Sequence, residues 1–130
     1  LLSKRIREKS LKQNSSRLTQ SFRLVYYELA ERTMRERRQI VPCYAGFASC
    51  QITPYGDVWP CCVLGYSMPL GSLRQVDYVL EKVWNSPKAD QIRNHIRNGM
   101  CYCPLANASY TNILCNFQYF GKAALNMLRV

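Results

Sequence analysis

The chain has 130 residues, a net charge of +10 and seven cysteines, which is enough length for one modest domain. No apolar run approaches the roughly 20 residues that a membrane-spanning helix needs, and the N-terminus lacks the apolar segment of a secretory signal. An odd cysteine count without such a signal argues against a disulfide framework. These features predict a cytoplasmic protein that uses cysteines to bind a metal.

The positive charge is concentrated near the N-terminus. Residues 1–40 hold eleven Lys or Arg against four Glu, a net of +7 out of the total of +10. Such a block can bind nucleic acid or anionic lipid. Spread over about eleven helical turns, however, these charges do not form a tight patch. We therefore interpret them as a solvated helix face and do not expect nucleic acid as a partner.

Residues 1–39 contain no Pro or Gly, which favours helix. Asn14-Ser15-Ser16 is the point where this helix is expected to divide. Apolar side chains recur at helical spacing on one face: Leu18, Phe22, Val25, Tyr26 and Leu29. This stripe has no evident partner of matching size. We expect it to pack on a domain outside the chain, which begins with Leu1; the alternative is packing on the local core.

A short β-hairpin is predicted after Pro42. The strand candidates are 51–53 and 57–59, and Pro54-Tyr55-Gly56 between them is a turn signal in which Gly56 supplies a positive φ. Cys43 precedes this hairpin and Cys61 follows it. Because a hairpin brings its two ends together, both thiols can face one site.

Helix is predicted again over 77–99, with Ser86-Pro87 as a cap and first helical residue and Gly99 as the stop. Pro69-Leu70-Gly71-Ser72-Leu73 is predicted to be an ordered turn. Beyond Gly99 we expect a polar loop up to Cys115 and a last helix over 117–128. The predicted fold is therefore α+β, a small cysteine-rich domain with a hairpin and several helices, preceded by a long basic amphipathic helix. Its predicted core is Ile52, Val58, Trp59, Leu73, Leu80, Val83, Trp84, Ile92 and Ile96.

Four cysteines form the predicted site: Cys43, Cys61, Cys101 and Cys103. Four thiolates from two separated segments suit an iron–sulfur cluster or a structural zinc. Zinc sites mostly use Cys-x₂₋₄-Cys pairs, whereas here the spacings are seventeen residues and one residue, which favours a cluster. Cys115 is a further candidate ligand.

The two remaining cysteines are not expected to be ligands. Cys50 alternates with Ile52 along the strand and is interpreted as a buried core thiol. Cys62 adjoins Cys61 and is expected to point elsewhere.

The spacing Cys43-x₁₂-Gly56-x₄-Cys61 resembles the opening motif of SPASM and twitch domains, which bind auxiliary iron–sulfur clusters in radical S-adenosylmethionine (SAM) enzymes. The fuller string is similar too: Cys43-x-Ala45-Gly46, then Ile52-Thr53-Pro54-x-Gly56-x-Val58-x-Pro60-Cys61. Downstream, Pro69-Leu70-Gly71-Ser72-Leu73 and Val83-Trp84-Asn85-Ser86 also match. The resemblance covers residues 42–115.

Two departures from the family pattern matter. A full SPASM domain has a second group spaced Cys-x₂-Cys-x₅-Cys-x₃-Cys and holds two 4Fe-4S clusters, but here Cys101-x-Cys103 is followed by nothing until Cys115. A single twitch-like 4Fe-4S cluster is therefore expected. The Cys-x₃-Cys-x₂-Cys triad of the catalytic cluster is absent, so this chain alone is expected not to cleave SAM.

The resemblance implies a division into three parts: a linker or last barrel helix over 1–41, the cluster domain over 42–116 and a C-terminal helix over 117–130. It implies a missing radical SAM barrel as partner, which would hold SAM and a second 4Fe-4S cluster. The auxiliary cluster would aid substrate binding or electron transfer during radical modification of a peptide or small molecule. The alternative is a zinc-stapled nucleic-acid-binding module.

Overall fold

The computed structural model describes residues 17–129, and this part of the chain contains five α-helices and one three-stranded antiparallel sheet. This confirms the predicted α+β class. The part of the predicted N-terminal helix at 1–16 lies outside the described residues. The elements are α1 (Arg17–Glu36), β1 (Gln51–Ile52), β2 (Asp57–Trp59), β3 (Gly71–Ser72), α2 (Leu80–Trp84), α3 (Pro87–Arg97), α4 (Ala106–Leu114) and α5 (Phe117–Arg129).

The chain divides into two compact units. Residues Pro42–Tyr102 form the first, which we call the hairpin unit because it contains the sheet. The described residues of Leu1–Val41 and Cys103–Val130 form the second, which we call the helical unit. No helix in the described residues is both long and apolar enough to cross a membrane.

The predicted hairpin is confirmed. β1 and β2 pair antiparallel, with Ile52 opposite Val58. Gly56 has φ +88° and donates its N–H to the Thr53 carbonyl at 2.9 Å. The turn therefore needs the left-handed backbone conformation that Gly adopts without strain.

A third strand was not predicted. β3 pairs with β2, placing Gly71 opposite Val58, where an ordered turn had been expected. A Cβ atom on Gly71 would lie 3.0 Å from Val83 Cγ1, so the glycine lets this strand pass close to α2. Two residues are too few to show the alternation by which strands are recognised in a sequence.

Two helices cover most of the segment predicted as helix over 77–99. Ser86 caps α3, accepting the Ala89 N–H at 3.2 Å with Pro87 as the first helical residue, and the chain leaves the helix through Gly99 at φ +70°. The predicted start is wrong, because residues 77 and 78 have left-handed φ values of 55° and 62° and helix begins only at Leu80.

The core of the hairpin unit partly matches the prediction. Ile52 is 52% exposed rather than buried, because β1 is the edge strand of the sheet. Leu64, Leu70 and Ala89 were missed. Leu64 and Leu70 lie outside helices and strands and carry no periodic signal. The buried members are Val58, Leu64, Leu70, Val83, Ala89, Ile92 and Ile96.

The helical unit consists of α1 packed on α4 and α5. The buried apolar cluster comprises Val25, Leu29, Ile113, Tyr119 and Ala123. The expectation that the α1 stripe lacks a partner within the chain is therefore wrong: the C-terminal helices supply it. The predicted loop up to Cys115 is also wrong, because α4 occupies 106–114. Its Asn, Ser and Thr residues favour turns, and packing overrides that preference.

Candidate metal centre

The segments that carry Cys43 and Cys61 come close together in the hairpin unit. Cys43 is half-buried and packs against the core. Three residues later, Gly46 has φ +75°, and a Cβ atom there would lie 3.3 Å from Cβ of Pro60. Pro60 directly precedes Cys61. The Ala45-Gly46 pair of the motif thus allows the chain after one cysteine to approach the residue before the other.

Arg93 on α3 holds this loop in place. Its Nε donates to the Gly46 carbonyl at 2.7 Å, and the side chain also forms an ion pair with Asp90. The guanidinium carbon lies 4.6 Å from the centroid of the Trp84 ring and 5.9 Å from that of Phe47. Sequence reasoning missed this role, since the contact joins residues 47 positions apart.

Cys61 follows β2 at the exit of the hairpin and is half-buried against the same core. Its Sγ accepts a hydrogen bond from the Leu64 N–H at 3.5 Å. Such a bond stabilises negative charge on sulfur, and in iron–sulfur proteins it tunes the cluster's potential. Cys62 is exposed, as expected for a residue that points away from its neighbour.

Cys50 is half-buried against the same core. Burial raises the pKa of its thiol above the ordinary value of 9.0. Burial disfavours the thiolate, which is the form that binds metal. Cys50 therefore borders the core as a half-buried thiol, rather than as the buried one that the sequence predicted.

Cys101 lies two residues after the Gly99 helix stop and packs, half-buried, against the hairpin-unit core. Residues 100–105 have no regular secondary structure. A backbone change in this segment would therefore break no helix or strand hydrogen bonds, so moving the Cys101 side chain carries no such cost.

Cys103 and Cys115 belong to the helical unit. Cys103 is half-buried and lies within electrostatic reach of Tyr26 on α1. The pKa of Tyr26 is raised chiefly by burial, and then by Tyr110, Tyr27 and Cys103. The Tyr26 hydroxyl donates to the Pro104 carbonyl at 3.0 Å. Cys115 is exposed, just beyond α4.

The cysteines supply thiolates that suit a bound metal, although their side chains do not lie together in one group. Every cysteine in the described residues is a thiol rather than a disulfide. Cys43, Cys61 and Cys101 all border one core. However, within 17–129 no three His, Cys, Asp or Glu side chains form a group that could hold a metal ion. Binding would require these thiols to converge.

The basic face of α1 is partly neutralised. Arg32 pairs with Glu36 at 3.2 Å, and Arg38 pairs with the same carboxylate at 2.6 Å. These two arginines hold the pKa of Glu36 below its ordinary value, chiefly through the hydrogen bond from Arg32. Arg35 lies 3.6 Å from Glu31. These pairs favour the interpretation of this charge as a solvated helix face.

The fold and the cysteines together describe a class of protein, namely a small α+β domain in which half-buried cysteine thiols lie beside one hydrophobic core. Within that class, the family model of the SPASM domain, an iron–sulfur cluster-binding domain, matches residues 43–104. The match is consistent with a SPASM or twitch domain in this segment and confirms the resemblance seen in the sequence. No curated protein and no solved structure gives a significant match to the chain.

Proposed function

We propose that this chain provides an auxiliary 4Fe-4S cluster domain to a radical SAM enzyme. The observation that carries the proposal is the family match over 43–104, which begins at Cys43 and includes both Cys101 and Cys103. Cys43, Cys61 and Cys101 are the ligands from the hairpin unit. Cys103 is added on the sequence motif alone.

The residues around Cys61 support its role as a ligand. The Leu64 N–H points at its sulfur, so a negative charge on that atom is already compensated by a backbone dipole. The Gly46–Pro60 approach and the Arg93 hydrogen bond to Gly46 keep the Cys43 loop beside the hairpin exit. A bound cluster would supply one-electron transfer or a binding position for substrate. The chain's own part is to hold and shield it.

Metal identity is the direct test. Anaerobic reconstitution with iron and sulfide should give a brown protein with broad visible absorption and about four irons per chain. The Cys62→Ser variant is the matched control and should keep its iron, because Cys62 is exposed beside the proposed ligand. A colourless protein that binds one zinc would contradict the proposal and favour the zinc-stapled module.

An exposed apolar face on α5 supports a further domain in the parent enzyme. Phe117, Ala124 and Leu128 recur at helical spacing on the side opposite the buried Tyr119 and Ala123. Phe117 is 96% exposed and Leu128 is 80% exposed. Exposed apolar stripes of this kind mark surfaces that another structure covers.

The coding sequence tests this part of the proposal. We expect the DNA adjoining this reading frame to encode a Cys-x₃-Cys-x₂-Cys segment, the motif that holds the SAM-cleaving cluster in the family. Neighbouring sequence without that motif would contradict a radical SAM parent, while leaving iron binding by this chain to be judged by the reconstitution experiment.

A further inference from the structure

A groove of about 780 Å³ crosses the sheet face of the hairpin unit, within the range typical of ligand sites, roughly 300–1,000 Å³. The residues that line it include Ile52, Tyr55, Asp57, Trp59 and Tyr66. None of the described residues that line it is a cysteine, so the groove is a surface separate from the proposed cluster ligands.

The backbone determines the position of the Trp59 ring, which forms one side of this groove. Val58 points into the core, so Trp59 on the same strand points to the opposite face. A Cβ atom on Gly65 would lie 2.2 Å from the Trp59 ring. The indole ring therefore packs directly on the backbone of Gly65, where no side chain intervenes. The Tyr66 ring follows, with its centroid 4.6 Å from that of Trp59 and its plane tilted by 56°.

The charge in the groove is negative. Among residues 17–129, Asp57 is the only charged residue that lines it, in a chain whose net charge is +10. Asp57 shares a strand face with Trp59 because the two residues are two positions apart. No Lys or Arg of the described residues forms an ion pair with its carboxylate. An acid beside exposed aromatic rings attracts an organic cation through both charge and ring quadrupole.

The edge strand β1, which lies beside the groove, indicates what shape of ligand suits it. β1 is the edge of the three-stranded sheet, and its residues Gln51 and Ile52 both line the groove. Ile52 is 52% exposed. An exposed edge strand can pair with an extended peptide, whose side chains then enter adjacent pockets.

We propose that this groove binds an extended peptide through a lysine or arginine side chain, held between Asp57 and the Trp59–Tyr66 pair. Tyr55 at the hairpin tip is 74% exposed and forms another aromatic part of the lining. The proposal assigns recognition of a basic peptide to a surface distinct from the cysteines.

The test is a titration of the full chain with the peptide acetyl-Thr-Val-Lys-Val-Thr-amide, followed by NMR of the Trp59 indole N–H. A peptide with norleucine in place of lysine keeps the length and shape but removes the charge. We expect it to bind at least fivefold more weakly. Binding of the lysine peptide should weaken as salt rises from 50 to 500 mM, since salt screens the Asp57 charge.

Two variants separate the groove from the general surface. Asp57→Asn should weaken binding of the lysine peptide at least fivefold and erase its advantage over norleucine. Asp77→Asn is the matched control, because Asp77 is exposed on another part of the unit and asparagine tolerates its left-handed φ of 55°. Its affinity should equal that of the wild type.

Three results would overturn the proposal. Equal affinity for the lysine and norleucine peptides would mean that the groove does not select a cation. Equal losses in Asp57→Asn and Asp77→Asn would place the effect outside the groove. Binding of free tetramethylammonium as tight as that of the peptide would mean that the edge strand contributes nothing, so that the ligand is a small cation instead.

Discussion

The two units of this chain use different means to complete a core. In the helical unit, three amphipathic helices bury their own apolar faces, and ion pairs such as Glu28–Lys122 join them at the surface. In the hairpin unit, strands of two or three residues bury little, and half-buried cysteines border the core instead. A small core supplemented by thiols is the kind that a metal can stabilise. Metal should therefore matter more to the hairpin unit than to the helical unit, to which only Cys103 of the four proposed ligands belongs.

The largest expected effect comes from Cys61→Ser. Removing a proposed ligand whose sulfur already accepts a backbone N–H should lower iron from about four per chain to less than one and loosen the hairpin unit, because metal binding and folding are linked. Hydrogen exchange of the reconstituted protein should show lost protection mainly in 42–102. Cys50→Ser and Cys62→Ser should keep their iron. Equal iron loss in all three variants would show that the ligand assignment is wrong.

A pair of core truncations tests whether the units are separate. Ile96 and Ile113 are both fully buried, one in each unit. Each Ile→Ala change should cost about 3 kcal/mol and should reduce amide protection in its own unit. Ile52→Ala is the control and should cost about 0.5 kcal/mol or less, since that side chain is half-exposed. Loss of protection in both units from either substitution would mean that they unfold together.

A smaller loss is expected at the start of α3. Ser86→Ala removes the side-chain acceptor for the Ala89 N–H, which should destabilise the hairpin unit by about 1 kcal/mol. Denaturant unfolding measures it. Ser67→Ala, which removes only a hydroxyl bonded to the Leu64 carbonyl, is the comparison. Should both variants match the wild type, the cap would carry no net stability.

The smallest effect is a pH dependence in each unit. The pKa of Cys50 and that of Tyr26 are both raised, chiefly by burial. The folded state therefore holds these protons more tightly than the unfolded state. This stability is fully present below the unfolded pKa and is lost as pH rises through the folded pKa. For Cys50, with an ordinary value of 9.0, the loss begins above about pH 9.

Two variants assign that pH dependence to its groups. Cys50→Ala should flatten the alkaline loss of stability in the hairpin unit, and Tyr26→Phe should do so in the helical unit. Urea unfolding between pH 8 and 11, followed by NMR signals from each unit, measures both. Unchanged pH profiles in the two variants would show that neither proton is retained on folding.

The sequence predicted the features that depend on local chemistry. Gly56 required a tight turn, Ser86-Pro87 started a helix and Gly99 ended one. The missed features depend on distant contacts. β3 is recognised only through its pairing with β2, and α4 packs on both α1 and α5, contacts that its own sequence does not reveal. The exposure of Ile52 followed from the strand order, which the hairpin pattern does not reveal.

The candidate site shows the same division. The motif identified a cluster-binding segment within 42–115, where the family model matches 43–104, because its glycines, prolines and cysteines are close in sequence and carry its geometry. Two contacts could not be predicted. One is the hydrogen bond from the Leu64 N–H to the Cys61 sulfur, and the other is the hydrogen bond from the Arg93 side chain to the Gly46 carbonyl. Both are contacts to or from backbone atoms, which leave no signature in residue type.

The positions of the two tryptophans allow the two units to be followed by different optical signals. The chain has two, Trp59 and Trp84, and both lie in the hairpin unit. Indole fluorescence therefore reports on that unit alone, whereas most helical residues, and with them most of the far-ultraviolet circular dichroism, belong to the helical unit. Melting curves recorded by the two signals follow two different parts of one unlabelled molecule, and their offset measures how independently those parts unfold.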